Sequence, residues 1–262
     1  MLFEICKVNW KRVFQKAYSG PHVGTRPDKL RKLFAQHTGR DDMPDALRKQ
    51  QDVRDAYQPE TIISEASLVI FDTETTGLNL EGGDRLLSLG AVKIIGGRIH
   101  LGNAFYELID PKRTIPTSSI FIHGITPGIA SHRPHISGIL LKFLDYIGCD
   151  VVAAHHASFD MKFLNHAMQG CFGFPIQNRV IDTALVAAWI RRLEHVELID
   201  PESGPDTGFD AVARHFGITT QDRHTAFGDA LSTALLFQRL IHILNKNGVR
   251  TLRQLARLAG VS

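Results

Sequence analysis

The sequence predicts an α/β fold, a mixed sheet flanked by helices, on three observations. Strand-like apolar runs come first and in hairpin order, later ones alternate with helix-period segments, and the first run ends in two carboxylates, Asp72 and Glu74, rather than in turn residues. Residues 1–60 read as a helical, basic extension, residues 61–248 as the main domain, and residues 249–262 as one short C-terminal helix.

The elements follow in order. "RPDKLRKLFAQHTG" reads as a helix, with Pro27 near its start, Leu30, Leu33 and Phe34 on one side, and Gly39 as a stop. "MPDALRKQQDVRDAYQP" repeats that grammar between Pro44 and Pro59. From about Ser67 the pattern changes to strands: "SLVIFDT", "RLLSLGAVKII" and "RIHLGNAFYELID", the last two joined by a Gly96–Gly97 hairpin turn. "ISGILLKFLDYIG" is then an amphipathic helix, "DVVAAHHA" a buried strand, and "SFDMKFLNHAMQG" a helix. "RVIDTALVAAWIRRL" is a short strand running into a helix, "EHVELIDPESGPDTG" a long irregular loop, and "FDAVARHFGI" a helix. "TAFGDALSTALLFQRLIHILNKNG" is a long helix closed by Gly248.

Composition bounds the function. An apolar fraction of 44% with 22% charged residues is that of an ordinary globular chain, and no apolar run approaches the ~20 residues of a membrane helix. Three cysteines without a CxxC pair, and an N-terminus broken by charges, point to a reduced, cytoplasmic setting. The net charge of +3 is unevenly placed: residues 1–55 carry 12 Lys/Arg against 7 Asp/Glu, leaving −2 for the remainder. A basic extension suits an anionic partner, and its helices offer a surface for a protein partner. There is no GxSxG, Walker A or GxGxxG motif.

The chemistry lies in the acids. Residues two apart on a strand share a face, so Asp72 and Glu74 point into one pocket, repel each other, and call for a positive partner. Further on, Asp160 falls just beyond the end of a buried strand, near a helix start. His224 precedes the last long helix and Asp229 lies in its first turns. Any one of these suits a helix N-terminus; together, in this order, they suggest a site.

The set "FDTETTGL", "AHHASFD" and "HTAFGDA" resembles the DEDD-type 3′–5′ exonucleases, in the subclass with a histidine in the third motif. The resemblance spans about residues 66–246 and includes "IHGIT" and "IDT". It implies a ribonuclease H-like fold with a mixed five-stranded sheet. It also implies two divalent cations, Mg²⁺ or Mn²⁺, about 4 Å apart and held by Asp72, Glu74, Asp160 and Asp229, with His224 as the general base. The substrate would be a single-stranded or frayed 3′ end of DNA or RNA, shortened by release of nucleoside monophosphates. By the same resemblance, Thr75 and Leu78 cradle the last nucleotide and Phe163 packs near its base. One position departs: the family usually has asparagine where this chain has His156, which puts a substrate contact in question rather than a metal ligand. A catalytically idle module that grips nucleic-acid ends is the rival reading. Only "VRTLRQLARLAGVS" follows Gly248, which favours a standalone repair or RNA-trimming enzyme over a replicase subunit.

Overall fold

The computed structural model describes residues 44–195, 199–200, 204–205, 208–220 and 222–261. The helix expected over "RPDKLRKLFAQHTG" lies outside the described residues. The second expected helix is α1 (Asp45–Ala56), with Pro44 at its N-cap.

The five expected strands are all present: β1 (Ser67–Thr75), β2 (Leu86–Ile95), β3 (Arg98–Leu108), β4 (Val151–Ala154) and β5 (Val180–Asp182). β1, β2 and β3 form an antiparallel meander, turned at Gly96 and Gly97, whose φ of 56° and 72° only glycine adopts without cost. β4 pairs parallel to β1, and β5 parallel to β4. The sheet has six strands, in the order β3-β2-β1-β4-β5-β8, which corrects the expected count of five. The sixth is β8 (Gly260–Val261), antiparallel to β5 and following α9 (Leu252–Ala259). Two residues carry no readable alternation, so only the helix is legible there.

Central β1 is buried on both faces, as a strand covered by helices must be. Val69 and Phe71 enter one core with α4 (Ile136–Ile147) and α5 (Ala157–Phe172), where Phe71 meets Phe143 at a ring-centroid distance of 5.9 Å. Leu68 and Ile70 enter the other with α6 (Thr183–Leu193) and α8 (Ala226–Lys246). Between these elements run α2 (Thr117–His123), α3 (Pro127–Ala130) and α7 (Phe209–His215). The expected long loop contains a two-residue pairing of β6 (Ile199–Asp200) with β7 (Gly204–Pro205).

α1 is built into the first core. Ala46 and Leu47 belong to that core, and fully buried Gln50 donates its amide to Asn178 Oδ1 at 2.8 Å and accepts from the Gln177 N–H at 2.9 Å. The boundary expected at residue 60 therefore lies behind a helix that closes the core. A buried amide with both partners found looks, in sequence, like an exposed one.

Candidate active site

Strand parity decides which acids meet. Asp72 and Glu74 share the parity of Leu68 and Ile70 and so face α8, whose first turn carries Asp229. Asp72, Glu74 and Asp229 each bring an oxygen within 4.8 Å of the others. Two glycines permit this approach. Gly90 lies opposite Asp72, and a Cβ there would sit 2.4 Å from the backbone of Ala226 and Phe227, so the start of α8 rests directly on β2. At Gly228 a Cβ would meet the Asp222 carbonyl oxygen at 2.2 Å. Without one, the chain turns tightly into α8, capped by the Thr225 hydroxyl, which accepts from the Gly228 N–H at 3.1 Å.

Asp160 arrives from the other face. Thr73 has the opposite parity, and its N–H and hydroxyl donate to Asp160 Oδ1 at 3.0 and 2.6 Å. Four acids were expected around one centre; the structure brings three within reach of a shared ion and holds the fourth beside them through Thr73. Burial and the neighbouring carboxylates Asp160, Asp229 and Glu74 push the Asp72 carboxyl well above the usual range. Burial, then Asp229 and Asp160, raise Glu74 to about 8. Burial raises Asp160 to about 7 against the pull of its Thr73 hydrogen bonds, and raises Asp229 in spite of its cationic neighbour. Four crowded acids that resist ionising are a site deficient in positive charge.

That neighbour is Arg223, which the sequence reasoning missed. Its Nη1 donates to Asp229 Oδ1, its Nε donates to Asp210 Oδ1 at 2.8 Å, and its guanidinium carbon lies 4.7 Å from the Phe209 ring centroid. Its charge lowers both Asp72 and Glu74. The signal available was an arginine directly before "HTAFGDA". His224 stands next to it with an exposed ring and a left-handed φ of 62°, its N–H donating to Asp229 Oδ2 at 3.1 Å.

His156 caps α5 in the left-handed region, at φ 60° and ψ 45°, with an exposed ring and its N–H donating to Asp182 Oδ1 at 3.0 Å. Asparagine and histidine are among the few side chains enriched there, so the departure from the family's asparagine keeps the backbone requirement. Asp182 also caps α6 through the Ala184 N–H at 2.9 Å. Thus "IDT" fixes where two helices begin. Buried His155 sets its Nδ1 3.0 Å from the Thr183 hydroxyl and its ring edge-on to Phe209, and burial lowers it to about 3.

The loop after Glu74 is wound around Asp84, which accepts from the Thr76 hydroxyl at 2.8 Å and the Asn79 N–H at 2.9 Å. The Thr75 hydroxyl donates to the Gly77 carbonyl at 2.8 Å, and Leu78 is left 81% exposed. α2 is tied to this loop by the Ser119 hydroxyl, which donates to the Thr76 carbonyl at 2.8 Å. Phe163 is different: at 2% exposure it belongs to the core, packed on half-buried Phe159 at 5.1 Å between centroids. The expected contact with a base does not suit a ring so little exposed. At i+3 from Asp160, packing against the sheet wins.

A family model described as an exonuclease matches residues 69–237, a span that holds every one of these acids. The chain belongs to the DEDD-type exonuclease family. A DNA polymerase III subunit epsilon-like protein of Rhodobacter capsulatus is 35% identical over 194 residues, covering 73% of this chain and 26% of that one. A PolC-type DNA polymerase III of Thermotoga maritima is 30% identical over 199 residues, covering 76% of this chain and 14% of that one. The chain thus spans about a quarter or less of these two relatives. Among solved structures, exonuclease X in complex with 5′-overhanging duplex DNA superposes with a TM-score of 0.54 at 27% identity, covering 73% of this chain and 98% of that one. Escherichia coli exonuclease I in complex with a dT13 oligonucleotide shares the fold, with a TM-score of 0.60 at 16% identity over 70% of this chain and 42% of that one. Among the described residues no helix is long and apolar enough to cross a membrane.

Proposed function

We propose that this exonuclease shortens nucleic acid from the 3′ end, releasing nucleoside monophosphates with the help of two divalent cations, Mg²⁺ or Mn²⁺. The observation that carries the reading is the trio Asp72, Glu74 and Asp229, whose oxygens converge within 4.8 Å while burial, joined at Asp72 and Glu74 by the neighbouring carboxylates, raises all three carboxyls. An all-oxygen donor set of this kind fits a hard divalent cation. These three residues, with Asp160 beside them, would hold the ions. Bound there, such ions would acidify a water and offset the charge on the leaving 3′ oxygen. His224, exposed and placed by its backbone bond to Asp229, takes the proton of the attacking water. Arg223, held by Asp210 and Phe209 as well as by Asp229, supplies positive charge beside these acids.

Leu78 and the backbone at Thr75 form the wall for the terminal nucleotide, and the exposed ring of His156 lies at the start of the helix that carries Asp160. The relatives' names and the DNA bound to the structural neighbours favour DNA as the substrate. The exposed thiol of Cys149 suits a reduced, cytoplasmic setting. The test is hydrolysis of a labelled oligonucleotide: activity is expected to vanish in EDTA, to return with Mg²⁺ or Mn²⁺, and to be abolished by Asp72→Ala or Asp229→Ala. Cleavage that survives EDTA, or undiminished cleavage by Asp72→Ala, would overturn the assignment.

A further inference from the structure

A concavity of about 790 Å³ lies away from the carboxylates. It runs along α5 past Ser158, Lys162 and Asn165 and is closed by α1 and by the segment that leads into β5. Successive helix residues turn by 100°, so these three positions lie on the side of α5 turned away from Asp160.

Its charge is one-sided. Arg54, Lys162 and Arg179 line it, and none of its lining residues, all of them among the described residues, is acidic. Among the described residues Lys162 has Glu81 as its one carboxylate within ion-pair distance, at 3.8 Å and with both side chains more than half exposed. Among the described residues no carboxylate lies within ion-pair distance of Arg54 or Arg179. Arg179 instead lies over the Tyr57 ring, 5.3 Å from its centroid, and the buried Tyr57 hydroxyl finds no partner among the described residues. Three cations facing one cavity repel one another, and an anion among them relieves that repulsion. An aromatic ring interleaved with guanidinium groups is the chemistry of single-strand binding, where cations follow phosphates and rings meet bases. Lys162 meets Glu81 of the loop that carries Leu78, so one end of the groove lies beside that loop.

We propose that this groove is a second nucleic-acid site, which holds the phosphodiester backbone of the substrate strand upstream of its 3′ end. The proposal rests on the reading above that the chain acts on nucleic-acid 3′ ends. It assigns α1 a role besides packing: it supplies Arg54 and Tyr57 to the strand's track.

The experiment compares two substrates on the full chain, a trinucleotide too short to reach the groove and a single strand of about twenty nucleotides. Arg54→Glu alters an exposed position on α1, and Arg179→Gln removes the second cation while keeping a side chain over Tyr57. Each variant is expected to raise KM for the long strand by about fivefold or more, leaving kcat, and both constants for the trinucleotide, unchanged. The salt dependence of long-strand binding, measured by fluorescence anisotropy in EDTA, should lose about 0.7 from its logarithmic slope per contact removed. Equal KM shifts on both substrates, or wild-type slopes and affinities in both variants, would overturn the groove assignment. Should the wild type cleave neither substrate, the exonuclease reading fails. The anisotropy series still decides the groove, since wild-type binding weakened by either variant supports it and binding indifferent to both refutes it.

Discussion

Replacing Gly90 by alanine adds one methyl group at the point where the last long helix lands on the sheet. The new Cβ would lie 2.4 Å from the backbone of Ala226 and Phe227, where ordinary contact begins near 3.4 Å, so something must move by about 1 Å. β2 is hydrogen-bonded on one side to β1 and on the other to β3, which leaves α8 as the element that gives way. Asp229 lies two residues past Phe227 and moves with it. Overpacking of this kind costs about 1–3 kcal/mol, a fall of several degrees in Tm for a domain of this size. A displacement of about 1 Å at a positioned catalytic group costs on the order of 10²-fold in rate. The assay is kcat on a single-stranded oligonucleotide together with Mg²⁺ affinity by calorimetry, and both are expected to fall in Gly90→Ala. Gly102→Ala on β3, where a Cβ meets nothing within 4 Å, is the control. A Gly90→Ala variant with wild-type kcat and metal affinity would refute the claim that this contact positions Asp229.

Further outcomes follow from other parts of the structure. Glu74 gives up its proton near the usual 4.5 when unfolded but near 8 when folded, so the stability of the metal-free protein declines as pH rises through that window. The decline is at most about 1.4 kcal/mol per pH unit for this one group; Glu74→Gln should flatten the Tm profile measured in EDTA, and a Tm that climbs with pH would contradict the shift. His156→Asn should be neutral for stability, whereas His156→Val should cost about 1–2 kcal/mol by denaturant unfolding, because a β-branched residue is strained in the left-handed region. A chain cut ahead of Pro44 should unfold cooperatively. One cut ahead of Ile62 removes Leu47 and Gln50 from the core and should lose several kcal/mol in urea titration; equal midpoints would show α1 to be dispensable. His224→Ala should lower kcat by roughly 10²- to 10⁴-fold with KM little changed, and a loss confined to KM would make His224 a substrate contact.

What could be read from the chain was local. The parity of "SLVIFDTET" places Asp72 and Glu74 on one face, and cap and stop residues mark α5 and α8, so the acids are visible together with the order in which they occur. What could not be read depended on contacts between distant segments. Thr73 and Asp160 are 87 residues apart, and nothing near either announces the hydroxyl that holds the carboxylate aside. Arg223 reads as an ordinary loop cation until the fold brings Phe209 and Asp210 beneath it. Phe163 satisfies a core pattern and a substrate pattern equally, and only burial decides between them. At His156 the sequence suggested a substrate question, while the backbone gives a simpler reason for the residue: the position demands a side chain that tolerates positive φ. α1, rich in charged and amide residues, carries few of the apolar signals that mark a core helix, yet Leu47 and Gln50 are fully buried.

The most direct test of the account uses a single-stranded oligonucleotide labelled at its 5′ end, digested in Mg²⁺ by the wild type and by Asp72→Asn, with the products resolved by length and the released nucleotide identified. The account predicts a ladder that shortens from the 3′ end, release of nucleoside 5′-monophosphates, and no shortening in EDTA or with Asp72→Asn. Immediate release of the 5′ label as a mononucleotide, internal cleavage without a ladder, or a ladder unchanged by Asp72→Asn would contradict it.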